Sequence, residues 1–100
     1  IFNIFEWQET GNTVEACISL QIIAATGAVG IGIKDGIEAT VFTSLSKGKW
    51  HVIEAMFTVD VAAGTNNVIN LYVDGQLAAT ESGGNVSGAI THGVLGTQNT

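Results

Sequence analysis

Apolar and polar residues alternate along much of this chain with a period of two, which is the period of β-strands. The clearest case is segment 14–22. The apolar residues that would share one face of this segment are Ala16, Ile18, Leu20 and Ile22. The opposite face is polar apart from Cys17, so the pattern predicts a half-buried strand with one core face and one polar face.

Similar patterns predict a series of further short strands. Segments 1–7, 28–33, 38–44, 50–59, 68–73 and 89–95 alternate in polarity or are rich in β-branched and aromatic residues. Asp35-Gly36 and Asp74-Gly75 are dipeptides typical of tight hairpin turns. The chain has no proline and no long segment with helical periodicity. We therefore predict an all-β fold, an antiparallel β-sandwich formed by a single domain over residues 1–100.

Segment 50–59 and the hairpin that follows it are predicted to be the centre of this sandwich. The face without charge at neutral pH is the predicted core face, and it comprises His51, Ile53, Ala55, Phe57 and Val59. Trp50 begins the segment and is expected to help pack it. A two-residue turn at Asp74-Gly75 predicts three facing pairs, which are Val73 with Gln76, Tyr72 with Leu77 and Leu71 with Ala78.

Composition narrows the range of partners. The chain has nine acidic residues against three lysines and a net charge of −6, which disfavours binding to nucleic acid or to anionic membrane surfaces. Its longest apolar run, over residues 20–25, is too short to cross a bilayer. Cys17 is the single cysteine, and without a basic neighbour in sequence it is expected to be a small buried hydrophobe. Because the chain begins at Ile1 and ends in a polar stretch, we expect it to be part of a longer protein.

Three short motifs occur in an order that is similar to one protein superfamily. They are Gly48-Lys49-Trp50-His51-Val52-Ile53, Leu71-Tyr72-Val73-Asp74-Gly75 and Leu95-Gly96. Together they resemble the laminin-G-like, concanavalin A-like jelly-roll superfamily, and the resemblance extends over residues 28–96. It implies an antiparallel β-sandwich of the jelly-roll type. The strands with which this superfamily usually opens and closes are not evident, so the implied sandwich is incomplete at both ends.

The resemblance leaves the activity open, because the superfamily includes lectins, adhesion modules, glucanases and structural domains of surface and viral proteins. Related glucanases carry an E-x-D-x-x-E run on one strand, and this chain has no such run. The nearest acidic pairs, Glu6 with Glu9 and Asp35 with Glu38, straddle a strand end and a turn. Retaining glycosidases need two carboxyl groups about 5 Å apart. We therefore expect a protein that is not an enzyme.

For the histidines and the loop residues, a structural role is weighed against catalysis and calcium binding. Neither His51 nor His92 has a serine or cysteine partner at a spacing that indicates catalysis, and the resemblance implies an inward-packed, hydrogen-bonded His51 ring. Some relatives bind calcium at the rim of the sandwich. The candidate calcium ligands are Asp60, Asn66, Asn67 and Asp74. Each of the four is also an ordinary loop or turn former, which is the alternative explanation.

Aromatic residues are the candidates for glycan binding. Trp7, Trp50 and Tyr72 could stack on sugar rings, although such rings more often fill the core of a small sandwich. Trp7 and Tyr72 are the predicted glycan-binding residues, since Trp50 is expected to pack the motif strand.

Two functions of different classes are consistent with these features. One is a non-catalytic, lectin-like module that recognises a glycan or a protein partner through its rim loops, with calcium as a possible addition. The other is a structural component of a larger assembly, such as a viral capsid decoration, a fibre or a surface-layer domain, whose apolar edges are covered by neighbours. Both predict a location outside the cell or at the surface of a particle.

Overall fold

The computed structural model describes residues 2–9, 14–35, 41–59, 67–82 and 90–96. These residues form eight strands, which confirms the predicted all-β class. The strands are β1 Phe2–Gln8, β2 Val14–Ile23, β3 Ala28–Asp35, β4 Val41–Leu45, β5 Ile53–Thr58, β6 Val68–Val73, β7 Gln76–Ser82 and β8 His92–Leu95. Within these ranges there is no helix with the length and hydrophobicity to cross a membrane.

The eight strands form two antiparallel sheets that face each other. Sheet A has the order β4-β3-β2-β1-β8, and sheet B has the order β5-β6-β7. Strands that follow one another in the chain pair within each sheet, except that β8 returns to pair with β1. Sheet B contacts sheet A through β7, which lies against β3 and β4, and through β6, which lies against β3. This arrangement is that of a β-sandwich.

The hydrophobic core lies between the two sheets. Four large side chains are fully buried there, Ile31 and Ile33 from β3 and Ile69 and Leu71 from β6. Full burial of each stabilises the fold by about 1.5–3 kcal/mol relative to an exposed position. The contact between β3 and β6 is therefore the main apolar link between the sheets.

The strand predicted to be the centre of the fold is an edge strand. Within the described residues β5 pairs with β6 alone, and β6 is the middle strand of sheet B. Ile53, Ala55 and Phe57 are half-buried against the core and the residues between them are exposed, so the predicted core face is confirmed. The predicted central position is wrong, because alternation reports which face of a strand is buried and carries no information about strand order.

Residues 15–19 of β2 are buried on both faces, which differs from the half-buried strand that its alternation predicts, whereas Ile22 on the predicted core face is exposed. Ala16 and Ile18 are buried as expected, but Glu15, Cys17 and Ser19 on the polar face are buried as well. The prediction of a buried Cys17 is confirmed. Burial raises the pKa of its thiol, against the lowering effect of the Ser19 hydroxyl, and a thiol in that state is a poor nucleophile.

A network of side-chain hydrogen bonds allows the polar face of sheet A to be buried. The Ser19 hydroxyl donates to Asn3 Oδ1 at 2.7 Å, and Asn3 Nδ2 donates to Glu6 Oε2 at 2.7 Å. Gln8 Nε2 donates to Glu6 Oε1 at 2.9 Å, and Gln8 Oε1 lies 2.9 Å from His92 Nε2 on β8. Both oxygens of the Glu6 carboxylate, which is 3% exposed, thus accept a hydrogen bond, as a buried charge requires.

The predicted Asp74-Gly75 hairpin is confirmed. Asp74 and Gly75 have φ angles of 53° and 83°, which are the positive values of a type I′ turn. Tyr72 faces Leu77 and Val73 faces Gln76, as the turn predicts. Leu71 faces Ala79 and not Ala78, because a β-bulge after the turn adds one residue to β7. The bulge keeps both Leu71 and Ala79 in the core.

The remaining predicted strands are found with shifted bounds. β4 is described from Val41 to Leu45 and pairs with β3, and residues 38–40 of the predicted strand lie outside the described residues. The Asp35-Gly36 turn cannot be compared, because Gly36 lies outside the described residues. The predicted last strand over 89–95 corresponds to β8, which is shorter.

The substitution Glu6→Gln tests the contribution of the network to stability. It replaces one acceptor oxygen by an amide group that faces another donor, so one buried donor loses its partner. We expect the free energy of unfolding to fall by about 1–3 kcal/mol, measured by urea unfolding of dilute protein. The control Glu54→Gln, at an exposed position on β5, should change it by less than about 0.5 kcal/mol. Equal changes in the two variants would contradict a stabilising role for the network.

Candidate functional site

The turn at Asp74 joins the hairpin to the residues that precede β5. The backbone amide of Asp74 donates to the carbonyl oxygen of Val52 at 2.8 Å, and Asp74 Oδ1 accepts from the Val52 amide at 2.9 Å. Asp74 Oδ2 lies 2.7 Å from His51 Nδ1. The two longest sequence motifs are therefore neighbours in space, connected through the Asp74 carboxylate.

Both ring nitrogens of His51 face oxygen acceptors. Nε2 lies 2.7 Å from the carbonyl oxygen of Ser46, and Nδ1 faces Asp74. A neutral imidazole donates from one nitrogen only, so this environment favours the doubly protonated ring. The Ser46 carbonyl and then the Asp74 carboxylate raise the pKa of His51. The His51 ring and then the Val52 amide lower the pKa of Asp74.

The geometry of His51 and Asp74 is that of a structural ion pair that connects the start of β5 to the hairpin, and not that of a catalytic dyad. The His51 side chain is 12% exposed, and its two nitrogens and both Asp74 oxygens are already engaged within the protein. No nitrogen of the ring remains to accept a proton from a substrate. The inward, hydrogen-bonded ring that the resemblance implies for His51 agrees with this arrangement.

A polar groove lies between the hairpin and β4, beside the His51–Asp74 pair. Its volume is about 420 Å³. Its polar lining comprises Thr43, Ser44, Ser46, Lys49, His51, Asp74 and Gln76. The Thr43 hydroxyl donates to the Ala78 carbonyl at 3.2 Å and links the two sheets along the groove. Elsewhere in the described ranges no hydrogen-bond partner engages the Lys49 ammonium or the Gln76 amide, so both can meet a ligand.

Trp50 is next in the chain to two groove residues but does not itself line the groove, and its exposure was not predicted from the sequence. It lies between the groove residues Lys49 and His51 in the chain, and its side chain is 98% exposed. The expectation that Trp50 packs the motif strand is therefore wrong. The period-two alternation of β5 continues back through residue 51, so an inward His51 leaves Trp50 facing solvent.

The two predicted glycan-binding aromatics are less accessible than Trp50. Trp7 is half-buried between the sheets, and its ring centre lies 5.0 Å from that of Phe5 and 5.3 Å from that of Phe57. Tyr72 is half-buried on the outer face of sheet B, where it faces Glu54 and Leu77. The structure thus leaves Tyr72 partly accessible and directs Trp7 into the core.

The outer face of sheet B, away from sheet A, is largely apolar. Its exposed apolar side chains are Val52, Met56 and Leu77, and Tyr72 lies among them. Glu54 and the hydrogen-bonded pair of Thr80 and Asn70 supply the polar groups of this face. Contiguous exposed apolar residues of this kind mark interaction surfaces more often than isolated ones do.

The four candidate calcium ligands do not form one site. Asn67 and Asp74 lie at opposite ends of the six-residue strand β6, a separation of about 23 Å at roughly 3.3 Å per residue. Calcium ligands lie about 2.3–2.6 Å from the ion, so these two residues cannot bind the same ion. Asp60 and Asn66 lie outside the described residues. Among the residues that are described, no three acidic, histidine or cysteine side chains cluster as metal ligands do.

Sequence reasoning also missed the buried network around Glu6. Asn3, Glu6 and Gln8 are polar residues within one strand, and Ser19 faces Asn3 across the pairing of β1 with β2. Simple alternation puts Asn3 and Glu6 on opposite faces of β1, and they come together at an irregularity in its pairing with β2 between Asn3 and Phe5. The sequence alone therefore does not reveal this polar cluster. Its burial was not predictable, because burial depends on what covers the face and not on the strand itself.

No protein-family model, no curated protein sequence and no solved structure matches this chain. The resemblance to the jelly-roll superfamily therefore rests on the motif residues alone.

The pH dependence of stability tests the His51–Asp74 pair. Because the pKa of His51 is raised, its contribution is complete below the unfolded-state value of 6.5 and is lost as pH rises through the folded-state value. The pKa of Asp74 is lowered, so its contribution is complete above 3.8 and is lost as pH falls through the folded-state value. We expect the melting temperature to decline as pH rises above neutrality.

The matched variant for this measurement is Asp74→Asn. Asparagine tolerates the positive φ of this turn position but carries no charge, so the decline above neutral pH should flatten. Glu54→Gln removes a carboxylate elsewhere and should retain the decline. An unchanged decline in Asp74→Asn would show that the ion pair is not its source.

Proposed function

We propose that this domain is a non-catalytic, lectin-like binding module that recognises a glycan at the polar groove beside Trp50. The observation that carries the proposal is the 98% exposure of Trp50, which follows the groove residue Lys49 in the chain. Among the described residues, no hydrogen bond engages the Lys49 ammonium or the Gln76 amide in that groove. A side chain that is 98% exposed adds almost nothing to packing, so its substitution tests binding without disturbing the fold.

The chemistry of the site suits a neutral or partly acidic sugar. The apolar C–H face of a sugar ring stacks on an aromatic ring, and its hydroxyl groups need donors and acceptors around it. The groove residues Lys49, Ser44 and Gln76 offer the polar groups. The exposed indole of Trp50, next to Lys49 in the chain, would offer the ring face from outside the groove. A volume of about 420 Å³ lies within the range of roughly 300–1,000 Å³ typical of small-ligand sites.

The sequence resemblance supports the same proposal. The motif residues point to a jelly-roll sandwich of the laminin-G-like, concanavalin A-like type, whose members include lectins and adhesion modules. The absence of an E-x-D-x-x-E run in the sequence argues against glucanase chemistry. A binding module of this kind would act outside the cell or at a particle surface. Calcium binding stays a prediction for Asp60, Asn66 and Asn67, of which only Asn67 lies within the described residues.

Glycan binding by Trp50→Ala tests the proposal. The wild-type protein should bind a subset of a glycan array, and Trp50→Ala should weaken binding to the best of these glycans by at least about tenfold. Its melting temperature should remain unchanged, because the indole makes no packing contacts. Met56→Ala, also exposed but away from the groove, is the control and should bind normally. An array without hits, with and without calcium, would overturn the proposal.

A second candidate function is a structural role in a larger assembly. The apolar outer face of sheet B favours it, because Val52, Met56 and Leu77 are all more than half exposed. Aliphatic side chains on a flat sheet suit a protein neighbour better than a sugar. If sedimentation of the wild-type protein revealed self-association that Met56→Lys abolished, this function would be preferred to glycan binding.

A further inference from the structure

Sheet A extends beyond sheet B on the side of β1 and β8. Sheet B is seated on β3 and β4, and in the described part of the chain no strand of sheet B lies over β8. Leu95 faces Phe5 in the pairing of β8 with β1, so it belongs to the core-side face of sheet A. It is nevertheless 89% exposed. The core-side face of sheet A is therefore uncovered at this edge.

An apolar cleft of about 420 Å³ occupies the space that another strand of sheet B would cover. Its walls include Ile4, Phe5 and Trp7 of β1, Leu95 of β8, and Ile53 and Ala55 of β5. Gly93 lets the Phe5 ring lie across β8, because a Cβ atom at Gly93 would overlap that ring. The cleft is lined by apolar side chains alone among the described residues.

The edge of β5 that borders this cleft has no strand paired with it in the described part of the chain. The hydrogen bond from the Asp74 amide to the Val52 carbonyl shows that the backbone groups of Val52 point towards β6. Backbone groups alternate in direction along a strand, so those of Ile53, Ala55 and Phe57 point away from β6. Each of these three residues therefore presents an amide and a carbonyl to an added strand.

We infer that the open edge of β5 and the apolar cleft form a docking site for one extended strand of a partner protein. The added strand would continue sheet B over β1 and β8, with main-chain hydrogen bonds to β5 and with alternate apolar side chains in the cleft. This site shares no residue with the polar groove, so it does not depend on glycan binding there.

Charge indicates the chemistry of the partner strand. Its outward side chains would lie beside Glu54, which is exposed on the outer face of β5. The domain as a whole carries a net charge of −6. Lysine or arginine at the outward positions would complement both, since opposite charges on neighbouring strands attract. The partner strand is therefore apolar on one face and basic on the other.

A second copy of this domain does not fit the site edge to edge. Two copies related by a twofold axis between their β5 strands would form one continuous sheet B. The overhanging β1 of each copy would then occupy the layer in which the other copy's sheet A must lie. A single extended segment has no second layer, so it avoids this collision.

The inference is tested with peptides that cover the six residues of β5. A pool with valine, isoleucine or leucine at alternate positions and lysine at the others is titrated into the isotope-labelled full chain. We expect binding that shifts the NMR signals of Trp7 and Leu95 and slows amide exchange at Ile53, Ala55 and Phe57. Peptides with glutamate in place of lysine should bind at least about tenfold more weakly.

Three variants and one modified peptide separate strand addition from other modes of binding. Leu95→Lys places a charge in the cleft at an exposed position and should abolish binding, whereas Ile22→Lys, also at an exposed position, should not affect it. Ala55→Pro removes an outward amide, which an edge strand tolerates, and should weaken binding. N-methylation of the peptide backbone should do the same.

Three outcomes would overturn the inference. The first is that no peptide of the pool binds. The second is that binding is insensitive to N-methylation, which would identify the cleft as a site for apolar ligands and not for a strand. The third is that sedimentation reveals a dimer lost in Leu95→Lys, which would identify a second copy as the occupant. Retained glycan binding in Leu95→Lys would separate a failure here from a failure of the groove proposal.

Discussion

The contact between β3 and β6 is the interaction on which the rest of this structure depends. Ile31 and Ile33 meet Ile69 and Leu71 between the sheets, and all four are fully buried. Because this contact lies towards the β4 side of sheet A, it seats sheet B off centre. The offset of sheet B has two results. Sheet B packs tightly on β3 and β4, and the apolar cleft beside β1 and β8 stays open. A change in the volume of these four side chains would therefore alter both the packing between the sheets and the width of the cleft.

The sequence predicted the features that arise from local backbone geometry. Alternation identified the strands and the core face of β5, and Asp74-Gly75 identified a turn whose positive φ angles other residues adopt at a cost. The sequence pattern could not predict strand order, because the order depends on which apolar faces pack together, and these come from distant parts of the chain. The bulge opposite Leu71 was equally hidden, since an extra residue in β7 leaves no mark in composition.

The residues that carry the superfamily resemblance turn out to be connected to each other. His51 and Asp74 are far apart in the chain, yet they form the ion pair that fixes the start of β5 to the hairpin. The two motifs therefore hold one corner of the fold together. Trp50 belongs to the same motif but does not pack into this corner, because its side chain is 98% exposed. Burial statistics for tryptophan predicted the opposite, because they average over positions and ignore the direction in which the strand turns a given side chain.

The edge strand β5 has a consequence for how the protein behaves in concentrated solution. Residues 53–58 read Ile-Glu-Ala-Met-Phe-Thr, a short β-prone segment without proline and with one charge. Exposed segments of this composition template the stacking of identical strands into fibrils. Glu54 interrupts that process, because stacked in-register copies would bring its carboxylate against itself in every layer. Glu54 thus opposes this stacking from an exposed position outside the core.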